Sequence, residues 1–190
     1  MKLLKSLQWV AIAILLLGLG ACSTLSGRTF HSFELDPVND SPDSDLLFYR
    51  YGHSNEQGLQ TRQHSLDMSG GRSSGVSITG DLPIGDDLYM KWRDRKTGQV
   101  YEDTVDLKSR LPFNMRGKRI KPIVEGSQLY VYLIAFEEVR PVFSYADADM
   151  IRRYATTPRQ KALSGFGRYK VLQIYPVFVE DPQLPPNLKK

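Results

Sequence analysis

The residues Gly71-Arg72-Ser73-Ser74-Gly75 match G-x-S-x-G, the pattern that presents a nucleophilic serine in lipases. That elbow needs a strand before the serine, a helix after it, and a downstream acid followed by a histidine. Here a Gly- and Ser-rich run leads into Ser73, and the strand-like Val76-Ser77-Ile78-Thr79 follows it. All three histidines, His31, His53 and His64, lie upstream, which excludes the order Ser, acid, His. Other triad orders occur on other folds, but nothing in this chain supports one. The match reads as a turn rich in glycine and serine.

Metal chemistry finds no better footing. His53 and His64 stand 11 apart, and no H-E-x-x-H or H-x-H pair occurs. The polar loop Gly52–Gly58 holds His53 and Glu56, but loops of this composition usually only connect. Asp86 with Asp87, and Asp103 with Asp106, read as solvated hairpin edges rather than as general acids. Asp147 and Asp149 fall at the start of an expected helix, where negative charge suits the helix dipole. No phosphate loop or dinucleotide fingerprint appears. The expectation is a protein that is not an enzyme and uses no metal or cofactor.

One residue does point to definite chemistry. Cys22 is the single cysteine of 190 residues and closes the run Leu19-Gly20-Ala21-Cys22. Lys2 and Lys5 precede an apolar stretch from Leu7 to Leu19, which turns polar at Ser23. A charged start, a short apolar run and a small-residue exit describe a secretory signal peptide. A spanning helix wants about 20 apolar residues, more than this run supplies. The ending resembles the bacterial lipobox: cleavage before Cys22, with the thiol receiving diacylglycerol and the new amino terminus a further acyl chain. Such lipid converts marginal binding into stable anchoring. Ser23, where an aspartate would retain a lipoprotein in the inner membrane, implies the outer membrane, facing the periplasm. With its only thiol acylated, the fold must be held by its core despite an oxidising compartment.

Charge narrows the partners. Removing the leader, with its two lysines and no acid, leaves 23 basic against 21 acidic residues. No nucleic-acid partner is expected from that balance or that address. The cations are uneven, however. Lys91 to Lys121 holds ten of them, opposed by Asp94, Glu102, Asp103 and Asp106. Such a patch suits anionic lipid or an acidic protein, or is simply a solvated sheet face.

The elements that must carry these residues read mostly as strands. Residues 22–45 look like a flexible tether, although Phe30, Phe33 and Leu35 have the spacing to add part of a strand. Leu46 to Tyr51 is a short apolar-aromatic run, and Val76 to Thr79 alternates. Leu88, Met90 and Trp92 share a face; Arg95-Lys96-Thr97-Gly98 then turns the chain into Val100 to Leu107, a good hairpin signal. Leu129 to Phe136 is apolar on both faces, as a central strand should be. Tyr169 to Tyr175 is the last clear strand. One helix is expected from Asp147 to Tyr154, stopped by Thr157-Pro158. The expected fold is mainly β: an antiparallel β-sandwich or half-barrel with one short helix over residues 46–180. It follows a lipoprotein signal peptide (1–21) and the tether, and precedes a proline-rich tail (181–190).

Taken together, the hairpin LYMKWRDRKTGQVYEDTVDLKSRLP (88–112), GSQLYVYLI (126–134) and VLQIYP (171–176) resemble small lipoproteins encoded beside type VI secretion effectors. The resemblance spans roughly Leu82 to Pro176. It implies immunity to periplasmic phospholipases: a binder that blocks a toxin by docking on it through loops and edge strands. Of the residues with a role, it extends only to Cys22. First contacts with such a protein partner are expected in the Lys108 to Arg119 segment (Arg110, Arg116, Arg119) and the Gly52 to Arg62 loop (His53, Glu56). The rival expectation is a structural or assembly lipoprotein of the envelope.

Overall fold

A computed structural model describes residues 27–53, 55–56, 58–61, 75–139 and 145–180. The leader with Cys22, His64, Ser73 and the 181–190 tail lie outside the described residues. The elements run β1 (Arg28–Leu35), α1 (Pro37–Asp40), β2 (Ser44–Tyr51), β3 (Val76–Pro83), β4 (Asp87–Asp94), β5 (Val100–Asp106) and β6 (Lys118–Glu125). There follow β7 (Gln128–Val139), α2 (Tyr145–Tyr154), α3 (Pro158–Ser164), β8 (Tyr169–Tyr175) and β9 (Val179–Glu180).

Period-two alternation builds the sheets. Leu88, Met90 and Trp92 of β4 are buried, and full burial of such side chains is worth about 1.5–3 kcal/mol each. Their neighbours Tyr89, Lys91 and Arg93 face away. The expected hairpin forms, with Trp92 opposite Tyr101. Gly98 takes φ +74° in its turn, and the Asp94 carboxylate accepts the N–H groups of Lys96 and Thr97 at 2.8 and 2.7 Å. With β2 on its other side, β4 centres a three-stranded antiparallel sheet, β2-β4-β5. The second sheet has six strands in the order β3-β1-β6-β7-β8-β9. Its pairs are antiparallel except β1 with β6, which run parallel at Ser32–Arg119 and Phe33–Ile120.

The two sheets close on one core. Phe33 of β1 stacks on Tyr49 and Tyr51 of β2 at 5.9 and 5.1 Å. Trp92 Nε1 donates to Gly126 O at 2.8 Å, pinning β4 to the β6–β7 turn. On its far face the larger sheet carries a second apolar cluster, where Leu163 of α3 meets Ile123, Tyr132, Ile134 and Val171. The fold is thus mainly β, as expected, with three short helices in place of one. The added α3 begins at a capping box: Gln160 N–H bonds to the Thr157 hydroxyl, and the Gln160 side chain returns to the Thr157 N–H. Thr157-Pro158, read as a stop, is equally a start, because proline suits the first helical turn. The stretch read as tether is in part fold. Arg28–Leu35 sits between β3 and β6, with Phe33 and Leu35 in the core and Phe30 half exposed.

His31, in the same stretch, is 1% exposed. Its Nδ1 lies 2.9 Å from Thr29 O, which can only accept, so in the neutral ring Nε2 accepts from the Tyr51 hydroxyl at 3.1 Å. Burial lowers its pKa below the ordinary histidine value. The unfolded chain therefore binds a proton that the native state resists, and stability falls as pH drops below about 6.5. Urea midpoints measured from pH 8 to 5 should decline more steeply for the wild type than for His31→Gln. Parallel slopes would remove His31 as the titrating group.

Candidate functional site

Residues 118–121, which close the basic run Lys91 to Lys121 and overlap the end of the expected contact segment at Arg119, form the start of β6, a central strand of the larger sheet. Ile120 points into the sandwich, so Arg119 and Lys121 point to the opposite face. There Lys121, 2% exposed, bonds Glu34 of β1 at 2.6 Å and Asp40 of α1, while Arg119 bonds the other oxygen of Glu34. Arg119 also lies 4.7 Å over the Phe136 ring, and Lys121 5.5 Å from that of Phe166. Two cations and two carboxylates balance. Burial raises the Asp40 pKa, with Lys121 opposing the rise. Pro122 fits a central strand because the β1 ladder has ended at Ile120. Two residues on, on the same side, Val124 N–H is taken by Ser41 Oγ at 3.0 Å. This cluster is a lock between β1, β6 and α1. Arg119 is committed to it rather than offered to a partner.

The remaining candidates divide between loops. Arg110 donates to Ile174 O at 2.7 Å and lies 5.2 Å over the Tyr175 ring. Tyr175 in turn donates to Asp103 at 2.7 Å, so this trio ties the β5–β6 loop to β8. Arg116 is exposed and has no side-chain ion pair among the described residues. Glu56 meets Arg28 at 2.5 Å, and Arg28 also reaches Asp81 at 3.4 Å. His53 is exposed, 4.0 Å from Asp87, whose other oxygen takes Arg50 at 3.0 Å. The five residues therefore do not converge on one surface. The described residues contain no group of three or more His, Cys, Asp or Glu side chains able to hold a metal, and no helix long and apolar enough to cross a membrane.

Among the described residues, two further surfaces bear on function. At one end of the sandwich, Gly27, the β3–β4 turn and the β5–β6 loop border an open groove of about 640 Å³. The loop is rigidly based: Asp106 accepts Lys108 N–H and the Ser109 hydroxyl, and Leu107 and Met115 are fully buried. Its tip, Phe113, is fully exposed. The other surface is the outer face of the three-stranded sheet. Phe48 leans on Tyr89 at 5.7 Å, and Tyr89 donates to Glu102, which Lys91 also meets at 3.2 Å. Arg93 and Val100 are exposed beside them. No described helix covers this face, and β5 pairs with β4 alone. Charge density in the sequence points to the β5–β6 segment instead; the signal for this face is the alternation Tyr89, Lys91, Arg93 opposite an expected core face.

The architecture defines a class: a two-sheet β-sandwich with helices on one outer face and, among the described residues, none on the other. Compared with known proteins, the chain matches no family model, no curated protein and no solved structure.

Proposed function

We propose that the protein is a lipid-anchored binding module, held on the periplasmic face of the outer membrane. It neutralises a cognate secreted toxin by docking on it; by the resemblance, the toxin is a type VI phospholipase effector. It acts by recognition rather than catalysis. The observation that carries this reading is the asymmetry of cover. The larger sheet's outer face is packed by α3, while among the described residues no helix covers the smaller sheet's outer face, which is rich in aromatic and cationic side chains. Tyrosine, arginine and other large rings on a rigid support are the usual anchors of protein interfaces. The β5 edge, which pairs with no second strand among the described residues, adds main-chain donors and acceptors for strand addition.

Deleting the gene should sensitise cells to sister cells that carry the adjacent effector, and restoring it should protect them. Failure of the mature protein to bind any neighbouring gene product, with no protection on expression, would leave the envelope-assembly reading standing.

Interface variants sharpen the test. Phe48→Ala combined with Arg93→Glu should weaken toxin binding by about 2 kcal/mol or more, chiefly through faster dissociation. Far-ultraviolet circular dichroism should be unchanged, because both side chains face away from the core. Arg116→Glu, on the β5–β6 loop, should instead slow association in a salt-dependent way. Arg119→Glu would report on folding, since its partner Glu34 is already half buried.

A further inference from the structure

We infer that the β5–β6 loop is a membrane-docking wedge, with Phe113 inserted among anionic phospholipids of the leaflet that holds the acyl chains. The inference rests on lipidation at Cys22, and its distinct content is orientation. The five residues Ser23 to Gly27 carry the chain from Cys22 to the start of the described fold. Fully extended, they reach at most roughly 18 Å. An acylated Cys22 therefore brings Gly27, and the end of the sandwich around it, close to the bilayer surface.

That end is the one bearing the wedge. Gly27 O accepts from Ile84 N–H at 3.1 Å, and Phe30 O accepts from Gly117 N–H at 3.1 Å, so the start of β1 lies beside both ends of the groove. Leu111, Pro112 and Phe113 form its apolar lip. Burying a large aromatic ring is favourable, yet Phe113 stands wholly in solvent on a loop fastened by Leu107, Met115 and the Asp106 bonds. A phenylalanine held out on a stiff base suits insertion at the headgroup–acyl boundary, some 5–10 Å deep. Charge agrees. From Leu107 to Val124 the chain carries no acidic residue, while Lys108 and Arg116 flank the tip, both exposed. The nearby acids Glu56 and Asp81 face Arg28, and Asp106 is spent on the loop's own Lys108 N–H and Ser109. Asp86, half buried on the β3–β4 side, is the one acid in the groove's lining among the described residues, against Arg28 and Lys108. Cations beside an inserted ring are drawn to anionic headgroups. The bare sheet face then stands to the side, clear of the membrane.

The test uses acylated mature protein, purified from membranes and reconstituted in phosphatidylethanolamine–phosphatidylglycerol vesicles brominated near the top of the acyl chains. Its native Trp92 is buried and gives a constant background. Phe113→Trp should add emission that is shifted to the blue and quenched by bromine. Val100→Trp, at the far end of β5, should add emission that is neither. Replacing phosphatidylglycerol with phosphatidylcholine should lessen the quenching. Intact acyl mass with an unquenched Phe113→Trp indole overturns the docking and leaves the anchor standing. Equal quenching at both positions overturns the orientation. Protein without acyl mass removes the anchor and this inference together. If Phe113→Asp abolishes toxin binding while the Phe113→Trp indole stays in water, the loop belongs to the protein interface instead.

Discussion

Lys121→Ala is expected to cost about 3–5 kcal/mol of folding stability, read as a lower urea midpoint by circular dichroism. Lys121 is the only cation bonded to Asp40 among the described residues and one of two bonded to Glu34. Without it, two carboxylates face Arg119 alone in a site where Lys121 itself is 2% exposed. The pH dependence identifies the cause. Burial already raises the Asp40 pKa, and Lys121 opposes that rise, so its loss pushes Asp40 higher. A carboxyl whose folded pKa is raised stabilises the fold below its unfolded value, near 3.9, and loses that contribution as pH climbs through the folded value. The deficit of Lys121→Ala should therefore shrink toward acid pH. Lys121→Met combined with Asp40→Asn should recover much of the loss at neutral pH, because Glu34 and Arg119 then remain as a balanced pair. A deficit below about 1 kcal/mol would mean that the cluster is solvated like an ordinary surface pair.

That cluster also marks where sequence reasoning stops. Leu88, Met90 and Trp92 were legible as one buried face because alternation is local and the turn at Gly98 ends the strand visibly. Leu129 to Phe136 was legible as a central strand because both of its faces are apolar. Residues 118–121 were not legible as a strand, since their cations resemble a solvated run. What neutralises them lies far away in the chain: Glu34 is 87 residues and Asp40 is 81 residues from Lys121. The parallel pairing of β1 with β6 is hidden for the same reason. It arises from how the crossover packs, and no short window encodes it. Arg119 was singled out for its charge, but its partners turn it into a structural residue; Arg116, three positions earlier, remains exposed. The bare sheet face required knowing that α3 covers the other sheet. Its capping signal at Thr157 and Gln160 is in the sequence, but Thr157-Pro158 also fits the end of the preceding helix.

Cys22→Ser should move the protein from the membrane to the soluble or unprocessed fraction and remove its acyl mass, while leaving the fold intact. The described hydrophobic core begins at Phe33, eleven residues beyond Cys22. The energetic consequence is large. Each buried CH₂ contributes about 0.8 kcal/mol, and whereas one chain gives only reversible binding, several give stable anchoring. On the proposed reading, toxin affinity in solution should be unchanged, because recognition would reside in the sheet rather than the lipid. Protection in cells should nevertheless fall, and the reason is concentration. A tethered inhibitor meets a membrane-attacking toxin at the effective concentrations of an intramolecular encounter, on the order of millimolar for short flexible linkers. A freely diffusing one meets it at its bulk periplasmic level. Raising expression of Cys22→Ser should accordingly restore part of the protection, which distinguishes lost concentration from lost recognition. A Cys22→Ser protein that still sediments with membranes, or a wild-type protein whose mature mass lacks acyl chains, would refute the anchor.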